Sequence, residues 1–202
     1  MPGEGIHNNI NEIRRSKEAM LKQHARVIWM CGLSGAGKST LAARLDKDLF
    51  ERGFLSQVLD GDVVRSGLNR GLGFTSEERL ENLRRVAEVA KLFTGCGVIT
   101  IVSFISPTRN CRQMARSIIG DPDFLETYIN APIEICEKRD NKGLYKQARE
   151  GKIKDFTGID SPFEPPVNPG VEIKTESLSV EECTRQLLDY VLPLVEYTNK
   201  HE

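Results

Sequence analysis

The chain has 202 residues, enough for one domain with a sizeable core and a short extension. Its 28 basic and 29 acidic side chains nearly cancel, so no global field draws it to nucleic acid or to a membrane, and any anion must be held by a local cluster. Its five cysteines (Cys31, Cys96, Cys111, Cys136, Cys183) lack C-x-x-C spacing and a histidine at ligand spacing, which predicts buried thiols in a reducing compartment and excludes a disulfide framework or a zinc site.

Residues 1–24 are polar and charged and lack a signal-peptide core. With no apolar run near ~20 residues anywhere, the expected setting is the cytoplasm. A helix from Asn8 to Gln23 has only a thin apolar stripe (Ile10, Ile13, Met20, Leu21) and is read as a surface helix or a frayed tail, not as a docking arm. Val27 to Cys31 is a short apolar run, the mark of a buried strand. Gly32 to Ser39 then fit G-x-x-x-x-G-K-[ST], and Leu41, Leu45 and Leu49 fall on one helical face. Strand, glycine-rich turn and helix together form a phosphate cradle: backbone N–H groups converge on the anion and the helix points its positive end at it. Gly32, Leu33, Ser34, Gly35, Ala36, Gly37, Lys38, Ser39 and Thr40 are therefore assigned to a nucleoside triphosphate. Lys38 is placed on the β- and γ-phosphates, with Ser39 as a ligand of Mg²⁺.

Arg52-Gly53 predicts a turn, and Leu55 to Leu59 a second strand ending in Asp60-Gly61-Asp62. Carboxylates at the C-terminal end of a parallel strand lie where such sheets bind ligands. For Asp60 an ordinary Asp-Gly turn weighs as much as function; Asp62 is taken as a metal ligand or as the group that orients an attacking hydroxyl. Gly67, Gly71 and Gly73 punctuate a loop ending in Phe74, and Thr75 with Glu78 forms a capping box. The helix that follows is expected to bury Leu83, Val86, Ala87 and Ala90 and to expose Arg79 and Asn82 on a shared face. Residues 97–103 read as a buried strand leaving through Phe104-Ile105-Ser106-Pro107, followed by a helix from about Thr108 to Ile119. Phe124 to Asn130 is another strand, and Pro132 opens a helix carrying Cys136 to Asp140. Residues 142–163 are basic, then turn-rich, the composition of a phosphate-closing lid. Val171 to Lys174 is a last strand, and Ser179 with Glu182 caps a C-terminal helix. Alternating strands and helices make an α/β, three-layer P-loop kinase fold with a mostly parallel sheet and a lid. The expected division is residues 1–24 as an N-terminal extension and 25–202 as the P-loop domain.

These motifs jointly resemble the adenylyl-sulfate kinase (APS kinase) family, which uses MgATP to phosphorylate the 3′-hydroxyl of adenosine 5′-phosphosulfate (APS). The resemblance runs over residues 27–175 through Gly32 to Thr40, Leu59-Asp60-Gly61-Asp62 with Arg65, and Leu72-Gly73-Phe74. It continues through Arg79-Leu80-Glu81-Asn82, Phe104 to Pro107, Lys142 to Lys146 and Phe156-Thr157-Gly158-Ile159-Asp160. It implies an APS site made by Asp62, Val63, Val64, Arg65, Phe74, Arg79, Asn82, Ile105, Ser106, Lys142, Asp155 and Phe156, with Phe74 and Phe156 sandwiching the adenine. It implies that Arg139 lies over the ATP adenine and that the enzyme is a homodimer. It assigns Ser106 as a phosphoserine intermediate, against which stands a serine that contacts substrate, since no obvious base adjoins it in sequence. The length leaves no room for the ATP sulfurylase to which many relatives are fused. A kinase for another small hydroxyl compound would not need the paired Phe74 and Phe156. A guanine-specific switch would want Asn-Lys-x-Asp, whereas Asn141-Lys142-Gly143-Leu144 lacks the aspartate.

Overall fold

The structure, a computed structural model, describes the backbone of residues 4–198 and side chains from residue 11. Five strands, β1 (Val27–Cys31), β2 (Ser56–Asp60), β3 (Ile99–Ser103), β4 (Phe124–Asn130) and β5 (Val171–Lys174), pair in the order β2-β3-β1-β4-β5, every pair parallel. The helices are α1 (Glu4–Leu21), α2 (Lys38–Glu51), α3 (Gly61–Ser66), α4 (Ser76–Gly95), α5 (Arg109–Ile119), α6 (Ile133–Lys138), α7 (Leu144–Arg149) and α8 (Val180–Val195). Alternation along β1 explains the layering. Ile28 and Met30 pack with Leu41, Leu45 and Leu49 of α2 and Leu187 and Val191 of α8. Val27 and Trp29 point the other way, into Leu83, Val86 and Ala90 of α4 and Ala115 of α5. The three layers and the parallel sheet are as the alternation predicts. Among the described residues no helix is long and apolar enough to cross a membrane.

Local signals set most boundaries. Thr75 and Ser179 each accept from the backbone N–H three residues on, and Glu78 and Glu182 return the bond, so both capping boxes form. Two strands begin later than their apolar patterns. Leu55 is half exposed and gives its N–H to Gln23 Oε1 (2.8 Å), while Gly97 has φ +82° and closes the end of α4. Of the five cysteines, Cys96 is exposed, contrary to the expectation of buried thiols; it caps α4 and packs into neither core.

The expectation for the N-terminal helix also needs correction. Ile13 and Met20 face solvent (47% and 75% exposed), and the Ile10 side chain lies outside the described residues. The docking face is instead Arg14, Lys17, Glu18 and Leu21, at i, i+3, i+4 and i+7. Arg14 forks onto Asp123 (2.5 and 2.8 Å) and reaches Ala25 O, and Glu18 accepts from Ala25 N–H. Past the helix, fully buried Gln23 donates to Leu55 O (2.9 Å) and Gly97 O (2.8 Å). Ala25, Leu55, Gly97 and Asp123 each lie one or two residues before β1, β2, β3 and β4, so this one segment fastens four strand starts by polar contacts.

Candidate active site

The site gathers at the opposite, C-terminal ends of the strands. β1 runs into the cradle at Gly32, where a Cβ would lie 2.2 Å from Ile129 O, so no other residue fits. Gly37, at φ +101°, delivers the chain into α2. Lys38 is buried, its ammonium donating to Gly32 O (2.9 Å) and Leu33 O (2.7 Å). Burial drives its pKa down to about 8, against smaller upward pulls from Cys31, Cys136, Asp60 and Asp62. The lysine thus rests on the loop's own carbonyls, a pre-positioned charge that an anion would draw out.

Ser39 Oγ donates to Asp60 Oδ2 (2.6 Å) and lies 3.3 Å from Ser103 Oγ. Asp60, the last residue of β2, also caps α3 by accepting from Asp62 N–H (3.0 Å). So the carboxylate beside the cradle serine is Asp60, the residue for which sequence weighed a plain turn equally. Asp62 stands one step further along and takes an ion pair from Lys142, joining α3 to residues 142–163, the segment expected to close over the phosphates.

Beyond α3 the glycine loop folds over Arg65, whose Nη1 donates to Leu72 O and Gly73 O (3.0 Å each). Phe74, 55% exposed, carries the Arg65 guanidinium 4.4 Å and the Arg79 guanidinium 5.5 Å from its ring centroid. Arg79 also donates to Phe74 O, Thr157 Oγ1 and Asp155 O, so α4 touches the closing segment directly. Val64 is buried in the core that also holds Leu83 and Phe104, and Val63 is exposed.

Two expectations fail here. Asn82 is 3% exposed and bonded to Asn69, so it is tucked beneath Arg79 and is not exposed beside it as expected. Phe156 is buried edge-on against Tyr145 (4.9 Å, 73°), so in this conformation it offers no open face for an adenine sandwich with Phe74. The turn holding Phe156 is preset: Asp160 accepts from the N–H groups of Asp155 and Phe156, and Asp155 has φ +58°, which Asp tolerates better than most residues.

The loop after β3 is tied to the cradle, Ile105 O accepting from Gly32 N–H (3.2 Å). Ser106 has φ +46°, is 1% exposed, and its hydroxyl accepts from the indole N–H of Trp29 (3.0 Å). Among the described residues no carboxylate or imidazole hydrogen-bonds it, and Arg112 holds its carbonyl (2.8 Å).

Several residues of the site escaped the sequence. Arg112, buried on α5, spends its three arms on Ser106 O, Glu126 and Glu164 O. Thr175, just after β5, donates to Ala36 O (2.9 Å) and accepts from Arg139 (3.0 Å), seating that arginine beside the cradle. Tyr145 donates to Ser34 O (2.8 Å) and roots the closing segment on the cradle. A cavity of about 590 Å³ lined by Leu33, Tyr128, Ile133, Ile159 and Phe163 flanks that segment, but its walls bring no cation together and it is no phosphate site.

The arrangement is suited to phosphoryl transfer: an anion cradle with a buried lysine, paired oxygen ligands, and two arginines on an aromatic. A family model described as Adenylylsulphate kinase matches residues 24–174. The adenylyl-sulfate kinase of Bacteroides thetaiotaomicron is 53% identical over 183 residues, 91% of each chain. That of Clostridium acetobutylicum is 54% identical over 178 residues, 88% of each. Among solved structures, the Mycobacterium tuberculosis APS kinase CysC in complex with AMPPNP and APS superposes with a TM-score of 0.80 at 42% identity. The match covers 83% of this chain and 98% of that one.

Proposed function

The chain belongs to the adenylylsulphate kinase family, and we infer that it transfers the γ-phosphoryl group of ATP to the 3′-hydroxyl of APS, giving 3′-phosphoadenosine 5′-phosphosulfate and ADP. The observation that carries this reading is the junction of Arg65, Phe74 and Arg79 with Asp155 and Thr157, a cationic and aromatic corner beside the phosphate cradle. A nucleotide with an anionic tail matches that chemistry.

Lys38 leaves the Gly32 and Leu33 carbonyls for the β- and γ-phosphates, carrying its charge into a water-poor site. Ser39 and Asp60 offer two hard oxygens hydrogen-bonded to one another (2.6 Å) and would hold Mg²⁺, which when bound would spread the negative charge of the phosphates. Asp62 orients the 3′-hydroxyl and accepts its proton as the oxygen attacks; Lys142 must release it or share it. Ser106 contacts substrate and takes no phosphoryl group, in keeping with its buried hydroxyl and the absence of a described base. Residues 142–163 close over the reaction and keep water from the γ-phosphate, with Tyr145 as their root. Arg139 lies over the ATP adenine from its seat on Thr175. Residues 1–24 serve as an N-terminal extension of the domain 25–202, in keeping with the contacts of Arg14, Glu18 and Gln23. The cytoplasm, where ATP is supplied, is the setting proposed, and the assembly is a homodimer, which light scattering would test. The reaction itself is tested by coupled ADP release with APS, adenosine, gluconate and shikimate as acceptors. Turnover with APS alone is expected; preference for any other acceptor would refute the reading.

A further inference from the structure

Among the described residues, two buried side-chain polar atoms lack a hydrogen-bond partner, Asn69 Oδ1 and Thr100 Oγ1. Asn69 lies in the loop between α3 and α4 and is fully buried, its N–H on Val64 O (2.9 Å) and its carbonyl accepting from Leu72 N–H (3.2 Å). A buried amide normally turns its oxygen to a donor. Here Asn69 Nδ2 gives its hydrogens to one residue, Asn82, at the main-chain carbonyl (3.2 Å) and at Oδ1 (2.8 Å).

The main-chain carbonyl decides which way both amides face. A carbonyl oxygen only accepts, so Asn69 must show it nitrogen. Reversing Asn69 would set oxygen against oxygen there and bury two N–H hydrogens where nothing accepts them, worse than one unpaired oxygen. With Asn69 Nδ2 fixed, Asn82 must present Oδ1 to it, and its own Nδ2 turns away. No described group accepts those hydrogens, and Asn82 Nδ2 is not one of the buried unpartnered atoms, so it reaches the surface only through the 3% of the residue that is exposed. Asn82 sits three residues after Arg79, on the side of α4 that reaches Asp155 and Thr157 of the closing segment.

We propose that Asn69 is a positioning residue which sets the hydrogen-bond polarity of Asn82, so that Asn82 offers the substrate a donor and not an acceptor. The proposal rests on APS being the substrate and deepens that reading: the ligand atom opposite Asn82 is an acceptor, as the phosphosulfate oxygens are. An asparagine free to turn would offer either end. The two bonds from Asn69 remove the choice, and its unpaired oxygen is what that constraint leaves behind.

Kinetics on the full chain, with APS and MgATP varied separately, test this. Asn69→Asp replaces the donor by a group that only accepts, so Asn82 turns its Nδ2 inward and its oxygen toward the substrate. The KM for APS should rise about tenfold or more, the size of one reversed hydrogen bond, while the KM for ATP and kcat change less than about twofold. Asn69→Ala lifts the constraint without reversing it and should raise the KM for APS by clearly less. Equal effects of the two variants, or a matching rise in the KM for ATP, would overturn the proposal and leave Asn69 a loop strut. If Asn69→Asp does not fold, side-chain amide exchange in the ¹⁵N-labelled wild type decides. The Asn69 amide hydrogens should exchange slowly in the free protein and those of Asn82 quickly, the latter slowing with APS and not with ATP. Protection of the Asn82 amide before APS is added overturns the proposal. A wild type that neither turns over nor binds APS refutes the substrate reading instead, and the free-protein exchange pattern still judges the Asn69–Asn82 arrangement.

Discussion

Raising the pH should loosen ATP binding in a way that reports on Lys38. In the free enzyme burial holds this lysine near pKa 8, against 10.5 for the unperturbed side chain. A triphosphate beside the ammonium favours the charged form and returns its pKa to the ordinary value or above it. The difference of about 2.5 units corresponds to roughly 3 kcal/mol, the amount by which keeping the cation buried disfavours the free folded state at neutral pH. The sign follows from the direction of the shift. The folded-state pKa lies below the unfolded one, so stability falls as pH drops from about 10.5 to 8, and ATP relieves that cost. Binding must therefore take up a proton: on the order of a tenth of a proton at pH 7, half at pH 8 and most of one at pH 9. Affinity should fall by about fivefold from pH 8 to 9 and approach tenfold per pH unit above that. Calorimetry of MgATP binding in buffers of differing ionisation enthalpy reads the uptake directly, and a folded Lys38→Met protein should show none of it. Uptake that stays near zero from pH 8 to 9 in the wild type would refute the argument.

Three further outcomes are expected. Asp60→Asn should lower kcat by about a hundredfold or more and raise the Mg²⁺ concentration needed for half-maximal rate, whereas Asp62→Asn should lower kcat without moving that Mg²⁺ requirement; the same shift in both would refute the division of roles. Ser106→Ala should keep measurable turnover with a raised KM for APS, and ATP made chiral at the γ-phosphorus should transfer with inversion; retention would make Ser106 the nucleophile. Arg14→Ala should cost about 1–3 kcal/mol by urea unfolding, because Asp123 keeps Arg26 (3.0 Å) but loses a forked partner at a largely buried site.

What could be read from sequence was what is encoded within a few residues. Gly32 to Ser39 declares itself because its glycines, lysine and serine must be adjacent, and the boxes at Thr75 and Ser179 close over three residues. Asn82 was misjudged because the partner that buries it, Asn69, lies in a loop thirteen residues back whose fold no periodicity announces. Arg112 and Thr175 were invisible for the same reason at greater range, Thr175 meeting Ala36 across 139 residues. The docking of the first helix is not legible in its apolar side chains, because its contacts run through Arg14 and Glu18. A charged face bonded to the protein has the same pattern as one facing water until its partners are known.

The fastening of four strand starts by one N-terminal segment bears on the order in which the protein is built. α1 precedes every strand in the chain, yet Arg14 needs Asp123, 109 residues further on, and Gln23 needs Gly97, 74 residues on. During synthesis the Arg14–Asp123 fork cannot close until β4 has begun to emerge. Loop closure over such spans is slow to be rewarded, so its docking belongs to the last part of folding. Arg14 and Gln23 therefore work as a latch that engages only a sheet already in register, and a chain caught before that point exposes the ends of β1 to β3 with the helix still loose.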